Sequence, residues 1–205
     1  EEQDPLRAIK GIASPARMWI TDERGRTIAE YTAPLLCTHF GVSGPVVLDA
    51  SRHLLALQQS DQTGTAWVDW LPDEHREDFE SRWLQAPGNA TVGSLLKGLL
   101  PERLVATLSQ MAGVATTDRV RALRRESRRR LLDTLFAHPL EVVGDRGYAH
   151  AEATAGGVPL GEVKLDSMES RPTPGLHLAG ELLDVDGRVG GFNFQWAWAL
   201  SLIHI

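Results

Sequence analysis

Apolar and polar positions near the start of the chain alternate in a way that predicts paired strands. The strings MWI and TIAEY lie on either side of DERG, a polar stretch with a glycine, which indicates a β-hairpin within residues 16–38. Residues 65–71, TAWVDWL, also alternate and include β-branched and aromatic types, which is typical of a half-buried strand. Residues 15–72 are therefore expected to be rich in β-structure.

One helix is expected between those strands. Apolar residues recur there at helical spacing, Ser43 is a suitable cap for the helix, and Pro45 suits its first turn. The apolar positions of this helix are Val46, Val47, Ala50, Leu54 and Leu57.

Between residues 73 and 138 the apolar period becomes helical, and a small helical bundle is expected. Asp118 is a suitable cap for the last of the predicted helices. These helices span residues 73–85, 91–99, 101–111 and 118–137.

Beyond Pro139 the pattern returns to short runs that predict strands. The runs read LEVVG, YAHAEATA, GEVKL and GLHLAG, and an apolar helix is expected after Gly190 and Gly191. The change in pattern near residue 139 is the best domain boundary, and the fold class is α+β.

The composition of the 205 residues is that of an ordinary globular protein, with 42% hydrophobic residues, 23% charged residues and a net charge of -6. Cys37 is the single cysteine and cannot form an internal disulfide, so a reducing cytoplasm is the expected compartment. There is no apolar run of the roughly 18 residues that a membrane span needs, so no membrane partner is expected. The chain begins without Met and ends within an apolar helical pattern, and we expect it to be a fragment of a longer protein.

A basic segment interrupts this acidic chain. Seven arginines lie between Arg119 and Arg130, and such a run raises the question of nucleic-acid binding. On one helix of an acidic protein, the run is more typical of a solvated face that exchanges ion pairs with Asp and Glu. It is not accompanied by an aromatic RNA-binding motif or a zinc pattern, so no nucleic-acid partner is expected.

The usual catalytic and metal-binding motifs are absent from the sequence. The seven histidines form no HExxH motif, and no GxSxG marks a serine nucleophile. DVDGRVGGFNFQ resembles a calcium loop, but it has Val189 and Gln195 where an EF-hand needs glycine and glutamate. No metal site is therefore predicted.

Two glycine-rich segments carry the remaining candidate chemistry. GLHLAG is followed by Glu181 and then by the helix start GGFNFQ, and a second cluster, ATAGGV, occupies residues 153–158. Glycines let backbone N–H groups approach a ligand, a helix start favours negative charge, and an acid after a strand can accept hydrogen bonds from hydroxyls. If both segments converge, they suit a large cofactor. The alternative is that the glycines form a tight turn and the aromatic residues belong to the core.

Three strings resemble a known family. They are THFGVSGPVVLDASR at 38–52, EATAGGVPLGEV at 152–163 and DSMESRPTPGLHLAGELLDVDGRVGGFNFQWAW at 166–198. They are similar to the insert-containing bacterial NAD(P)/FAD-dependent oxidoreductases, which include aminoacetone oxidase-like and bile-acid reductase-like flavoproteins. Arg171 stands where relatives often have Lys, which leaves the charge unchanged.

The resemblance implies a domain organisation. Residues 1–143 would be an insert domain, made of a small β-barrel-like sheet over 15–72 and a helical bundle over 73–138. Residues 144–205 would be the C-terminal part of an FAD-binding α/β (Rossmann-like) domain. The family's N-terminal GxGxxG lobe has no counterpart in this sequence. The fragment alone is therefore expected to bind FAD poorly and to be inactive.

The resemblance also suggests which residues bind the cofactor. The acid after GLHLAG would face the ribitol or phosphate region of FAD, the last helix start would lie along the isoalloxazine, and the earlier glycine pair would line the flavin or substrate side. The cofactor-binding set is Gly156, Gly157, Gly180, Glu181, Asp186, Gly190, Gly191, Phe192, Asn193 and Gln195.

The function implied for the parent protein is FAD-dependent hydride transfer to an unknown small-molecule substrate, with NAD(P)H as a candidate hydride donor. No catalytic residue is assigned. His39 is a candidate acid or base, and its alternative role is to fix the turn before Ser43. The alternative function is a non-catalytic binding or assembly module with a vestigial flavin site.

Overall fold

The computed structural model describes residues 4–203. The chain divides into two compact units, Glu1–Val142 and Val143–Ile205, which we call the N-terminal and C-terminal units. Sheets and helices occur in both units, so the predicted α+β class is confirmed. None of the helices in the described part of the chain is long and apolar enough to span a membrane.

A five-stranded antiparallel sheet is formed by four strands in the first half of the N-terminal unit and one strand at its end. Its spatial order is β3-β2-β1-β4-β5. The first turn of the chain, α1, is Pro5–Ala8. The strands are β1 Ala13–Asp22, β2 Thr27–Thr38, β3 Gly41–Ser43, β4 Gly64–Asp69 and β5 His138–Leu140.

The predicted hairpin is confirmed by the pairing of β1 with β2. Its turn is closed by Asp22, whose Oδ1 accepts hydrogen bonds from the backbone N–H groups of Arg24 (3.0 Å) and Arg26 (2.9 Å). Gly25 takes a φ of 75°, which few other residues adopt readily. Along β1 the buried positions alternate with more exposed ones, as expected for a strand with one face on the core.

Helix α2, Pro45–Gln59, contacts strands β1 to β4 of the sheet and buries Val46, Ala50 and Leu54. The prediction that Ser43 caps this helix is wrong. Ser43 pairs with Leu36 in β3, and the cap position is Gly44 with a φ of 93°. A Cβ at Gly44 would lie 2.8 Å from the carbonyl oxygen of Pro34, so glycine is needed for both reasons.

Four α-helices lie between β4 and β5 in the chain, and they share one core with the sheet. Phe79 is fully buried in this core. Its ring centroid lies 6.3 Å from that of Trp83 and 5.5 Å from that of Phe136. The helices are α3 Arg76–Gln85, α4 Val92–Leu96, α5 Glu102–Met111 and α6 Arg125–Phe136.

The predicted helix over residues 118–137 is wrong in its first turns. The carboxylate of Asp118 accepts the N–H of Ala115 at 2.9 Å instead of capping α6. The backbone of Arg119 forms a bridge with Thr91, and a separate 3₁₀ turn covers residues 120–122. Arg119, before this turn, and Leu123 and Arg124, after it, have extended backbones, so α6 begins only at Arg125.

The C-terminal unit contains little regular structure. Strands β6 Val163–Lys164 and β7 Glu169–Ser170 form an antiparallel pair, and helix α7 spans Phe192–Ile203. The core of this unit consists of Val163, Met168, Leu183 and Leu200, with partly buried neighbours.

Most of the strands predicted after Pro139 are wrong. LEVVG contributes only Leu140 to β5, and GEVKL contributes only the two residues of β6. YAHAEATA contains a 3₁₀ turn and exposed loop, and GLHLAG is joined to β7 through a single bridge between His177 and Glu169. A short apolar run becomes a strand only where a neighbouring strand accepts its hydrogen bonds.

Candidate functional site

All ten residues predicted to bind the cofactor lie in the C-terminal unit, where the two glycine-rich segments come together. The N–H of Val158 donates to the carbonyl of Leu182 at 2.9 Å, and the N–H of Asp184 donates to the carbonyl of Val158 at 2.9 Å. Val158 and Leu183 thus form a parallel bridge. The two segments, whose convergence the sequence left as a condition, are thus joined through their backbones.

The two neighbouring glycines of the first segment have different surroundings. Gly157 has a φ of 149°, and a Cβ there would lie 2.7 Å from the carbonyl oxygen of Leu182. Gly156 has a φ of 96°, and no atom lies within 4 Å of its Cβ position. Close backbone packing therefore explains Gly157, whereas Gly156 leaves open space beside the backbone.

Glu181 links the two segments through its side chain. Its Oε1 accepts the backbone N–H of Thr154 at 2.9 Å, and the residue is exposed. Gly180, just before it, has a φ of 74° and begins a 3₁₀ turn at residues 180–182. The carboxylate thus places negative charge at the surface while it holds the glycine segment.

The start of α7 presents backbone without side chains. Gly190 and Gly191 have φ values of 127° and 91°, and no atom lies within 4 Å of the Cβ position of Gly191. The carbonyl of Gly191 accepts the N–H of Gln195 at 2.9 Å, which is the first bond of the helical ladder. Phe192 and Phe194 are 58% and 75% exposed, so the aromatic residues here are not core.

Asn193 braces the loop that precedes α7. Its Oδ1 accepts the N–H of Gly187 at 2.6 Å, and its Nδ2 donates to the carbonyl of Gly187 at 3.3 Å. A Cβ at Gly187 would lie 2.7 Å from the Cβ of Phe192. Asp186 is half-buried in the same loop. Sequence reasoning did not single out Gly187, although the DVDGRV turn contains it.

In the N-terminal unit, the segment around His39 has the contacts of a turn. The Thr38 hydroxyl donates to the carbonyl of Gly41 at 2.9 Å, and the carbonyl of His39 accepts Nε of Arg7 at 2.9 Å. The exposed His39 ring lies edge-on to Phe40, with centroids 5.0 Å apart. These contacts favour the structural role for His39.

A tyrosine and a histidine form a pair that sequence reasoning missed. The hydroxyl of Tyr31 and Nε2 of His53 are 2.8 Å apart, although 22 positions separate them in sequence. Burial lowers the pKa of His53, and the nearby charge of Arg52 lowers it further. The two residues lie on different elements, β2 and α2, so no local spacing could indicate the pair.

Other buried polar groups of the N-terminal unit serve the fold. Asp69 is buried, and burial raises its pKa although Leu71 and Arg17 donate hydrogen bonds to it. Burial raises the pKa of the Cys37 thiol to about 11, which makes it a poor nucleophile. Within the described residues no group of His, Cys, Asp and Glu has the arrangement of a metal site.

A family model and several relatives match the chain. The model is described as "HI0933-like protein barrel and H2TH domain", and it matches residues 2–153. The chain is 36% identical over 197 residues to the ribosomal RNA dihydrouridine synthase of Escherichia coli (strain K12). The aligned region covers 96% of this chain and 46% of that protein.

Two further relatives show similar coverage. The chain is 31% identical over 206 residues to the 3-dehydro-bile acid delta(4,6)-reductase of Clostridium scindens, covering 98% of this chain and 50% of that protein. It is 32% identical over 194 residues to the ribosomal RNA dihydrouridine synthase of Haemophilus influenzae, covering 95% of this chain and 45% of that protein. The chain therefore spans about half the length of the curated relatives it matches.

Proposed function

The chain belongs to the HI0933-like family, and we propose that it serves a flavin-dependent oxidoreductase in which residues 143–205 are the C-terminal part of the FAD-binding domain. The barrel and helical bundle before residue 143 are then an insert in that domain. A bile-acid reductase among the relatives supports a redox function.

One observation carries this proposal. Gly156 and Gly191 both have positive φ values and open space at their Cβ positions, in a unit where two glycine-rich segments are joined by backbone hydrogen bonds. Side-chain-free backbone at a helix start suits the electron-rich edge of a flavin. The residues present therefore fit FAD.

Separate tasks follow for the residues of the site. Backbone N–H groups from Gly191 to Asn193 would hold negative charge on the cofactor, and Glu181 would accept a hydrogen bond from a sugar-like hydroxyl. Gly157 and the Asn193–Gly187 brace would keep the two segments at fixed spacing. Bound FAD would supply hydride transfer, and the protein would orient it and exclude water.

The names of the relatives narrow the reaction. One is named for a delta(4,6)-reduction and two for forming dihydrouridine, and each name describes the saturation of a carbon–carbon double bond near a carbonyl. We infer the same class of reaction here. A hydride would add to the carbon distant from the carbonyl and a proton to the carbon beside it, and NAD(P)H would return the two electrons.

The flavin proposal is tested on the whole protein by its visible spectrum. Absorption bands near about 370 and 450 nm that a reductant bleaches are expected for bound flavin. Anaerobic mixing with NADPH or NADH then tests the electron donor. A folded, colourless whole protein that takes up no FAD would overturn the proposal and favour the alternative of a non-catalytic binding module.

A pair of glycine variants tests the site itself. Gly191→Ala places a methyl group in the open space where we propose that the cofactor binds, and we expect roughly tenfold weaker FAD binding. Gly175→Ala is the matched control, because Gly175 is in the same unit, has a φ of 84°, and has equally open space at its Cβ position. Equal loss of FAD in both variants would show that backbone strain, not the site, is responsible.

A further inference from the structure

The arginines of residues 119–130 lie at the surface of the N-terminal unit, and most of them have no acidic partner among the residues that the structure describes. Nε of Arg128 lies 3.6 Å from Oε1 of Glu80, and Nε of Arg129 lies 4.0 Å from Oδ2 of Asp133. No other arginine of the segment forms an ion pair with a described residue. We call these five residues, all exposed, the arginine surface: Arg119, Arg121, Arg124, Arg125 and Arg130.

This finding differs from the expectation of a solvated face that exchanges ion pairs. Two of the seven arginines form such pairs with residues that the structure describes, and Glu126 is the only acid in the sequence between Arg119 and Arg130. The chain as a whole carries a net charge of -6. A local concentration of unneutralised positive charge on an acidic protein attracts a polyanion to that segment.

The backbone beneath the arginine surface is fixed. The N–H of Val120 donates to the carbonyl of Ala90 at 3.0 Å, and Arg119 forms a bridge with Thr91. Val120 and Leu131 are buried in the core of the unit. The guanidinium groups therefore extend from a backbone of defined shape, which lowers the entropy lost when they bind a ligand.

An open depression adjoins this surface. It has a volume of about 420 Å³ and is lined by Ala106, Gln110 and residues 113–116. Nη2 of Arg130 lies 3.8 Å from the Cβ position of Gly113 on its rim. The volume lies within the roughly 300–1,000 Å³ of small-ligand sites, and Gln110 offers both a donor and an acceptor. An unstacked base could enter this depression while an adjacent phosphate of the same strand contacts Arg130.

RNA fits these features better than an anionic membrane. Arginine forms bidentate hydrogen bonds with phosphate, and RNA is commonly read through unstacked bases beside phosphate contacts. Binding to a membrane surface ordinarily needs exposed apolar residues next to the basic ones. Among the residues from 113 to 130, none is an exposed large hydrophobic side chain. Two relatives are named for a reaction on ribosomal RNA.

We propose that the arginine surface binds the phosphate backbone of an RNA substrate, with the adjoining depression receiving one of its bases. This inference rests on the proposed function, because the RNA would carry the double bond that the flavin unit reduces. It replaces the expectation that the protein has no nucleic-acid partner.

The test is fluorescence anisotropy of a short fluorescein-labelled RNA hairpin titrated with the 205-residue chain. Binding should weaken steeply as NaCl is raised from about 50 to 200 mM. The double variant Arg121→Gln/Arg125→Gln should bind roughly tenfold more weakly, and its log–log salt slope should be shallower by about 1.5. Circular dichroism checks that the variant is folded.

The matched control is Lys10→Gln/Arg24→Gln. Both residues are exposed in the N-terminal unit and form no ion pair with a described residue. The control removes two positive charges, as the arginine variant does. Its affinity and salt slope should equal those of the parent chain. Equal weakening of both double variants would show a general effect of charge and would overturn the proposal.

Two other outcomes would also overturn it. The first is no binding of the hairpin at about 50 mM NaCl. The second is arginine-dependent binding to phosphatidylglycerol vesicles without binding of the hairpin. Because no flavin is needed in this assay, its result is separate from the flavin test: a whole protein that binds FAD but not RNA would contradict only the RNA proposal.

Discussion

The two units of the chain differ in how far they bury their apolar residues. The N-terminal unit encloses Trp70, Trp83 and Phe79 in one core that joins the sheet to the helices. The C-terminal unit has a far smaller core and leaves Phe194 and Trp198 75% and 70% exposed. Exposed aromatic groups of this size mark surfaces that contact other groups. The proposed role as part of a larger flavin domain accounts for them.

The largest expected difference between the units is whether each folds alone. Residues 4–142 should unfold cooperatively on heating and retain the near-ultraviolet circular dichroism of buried tryptophans, because they contain their whole core. Residues 143–205 should show no cooperative transition. Independent cooperative folding of the C-terminal piece would contradict this comparison.

A pair of phenylalanine variants compares the two units directly. Phe79→Ala should lower the free energy of unfolding by about 3–5 kcal/mol, because Phe79 is completely buried against Trp83 and Phe136. Phe194→Ala should change it by less than about 0.5 kcal/mol. Urea denaturation followed by fluorescence measures both values. A large loss for Phe194→Ala would mean that its ring packs in solution.

Within the C-terminal unit, adjacent glycines should respond differently. Gly157→Ala would push a methyl group to 2.7 Å from the Leu182 carbonyl and should cost about 1–3 kcal/mol locally. Gly156→Ala meets no atom and should cost less. The amides of Val158 and Asp184, measured by hydrogen exchange, should lose protection mainly in Gly157→Ala. Equal loss in both variants would contradict the close packing at Gly157.

The smallest expected effect is a pH dependence confined to the N-terminal unit. Burial lowers the pKa of His138 below its ordinary 6.5, so the folded state binds a proton less readily than the unfolded chain. Stability is therefore full above pH 6.5 and falls as the pH drops through the folded pKa. His53 contributes in the same direction.

The measurement is the urea midpoint of the parent and of His138→Gln at neutral and at mildly acidic pH. Whatever its midpoint at neutral pH, the midpoint of the variant should fall less than that of the parent between the two pH values. An identical fall in both proteins would show that His138 does not contribute.

Local patterns were enough to predict much of the N-terminal unit. The DERG turn located the hairpin, and the apolar spacing after Pro45 located α2. The errors arose where a distant segment decided the outcome. Ser43 pairs with Leu36, so it could not cap α2, and Arg119 pairs with Thr91, which delays the start of α6.

The candidate site was predictable in part for the same reason. The sequence showed two glycine-rich segments that could converge on one ligand, and the bonds between Val158 and the 182–184 backbone bring them together. The roles of Gly187 and Asn193 depend on the path of the loop between them, which residue types alone do not specify. The pairing of Tyr31 with His53 likewise depends on how α2 lies on β2.

Cys37 gives the chain a natural reporter. It is the only cysteine, lies in β2, and is 1% exposed, with the pKa of its thiol raised to about 11. A thiol reagent can reach it only when the sheet opens, so the labelling rate records how often the N-terminal unit unfolds. Events limited to residues 143–205 leave that rate unchanged.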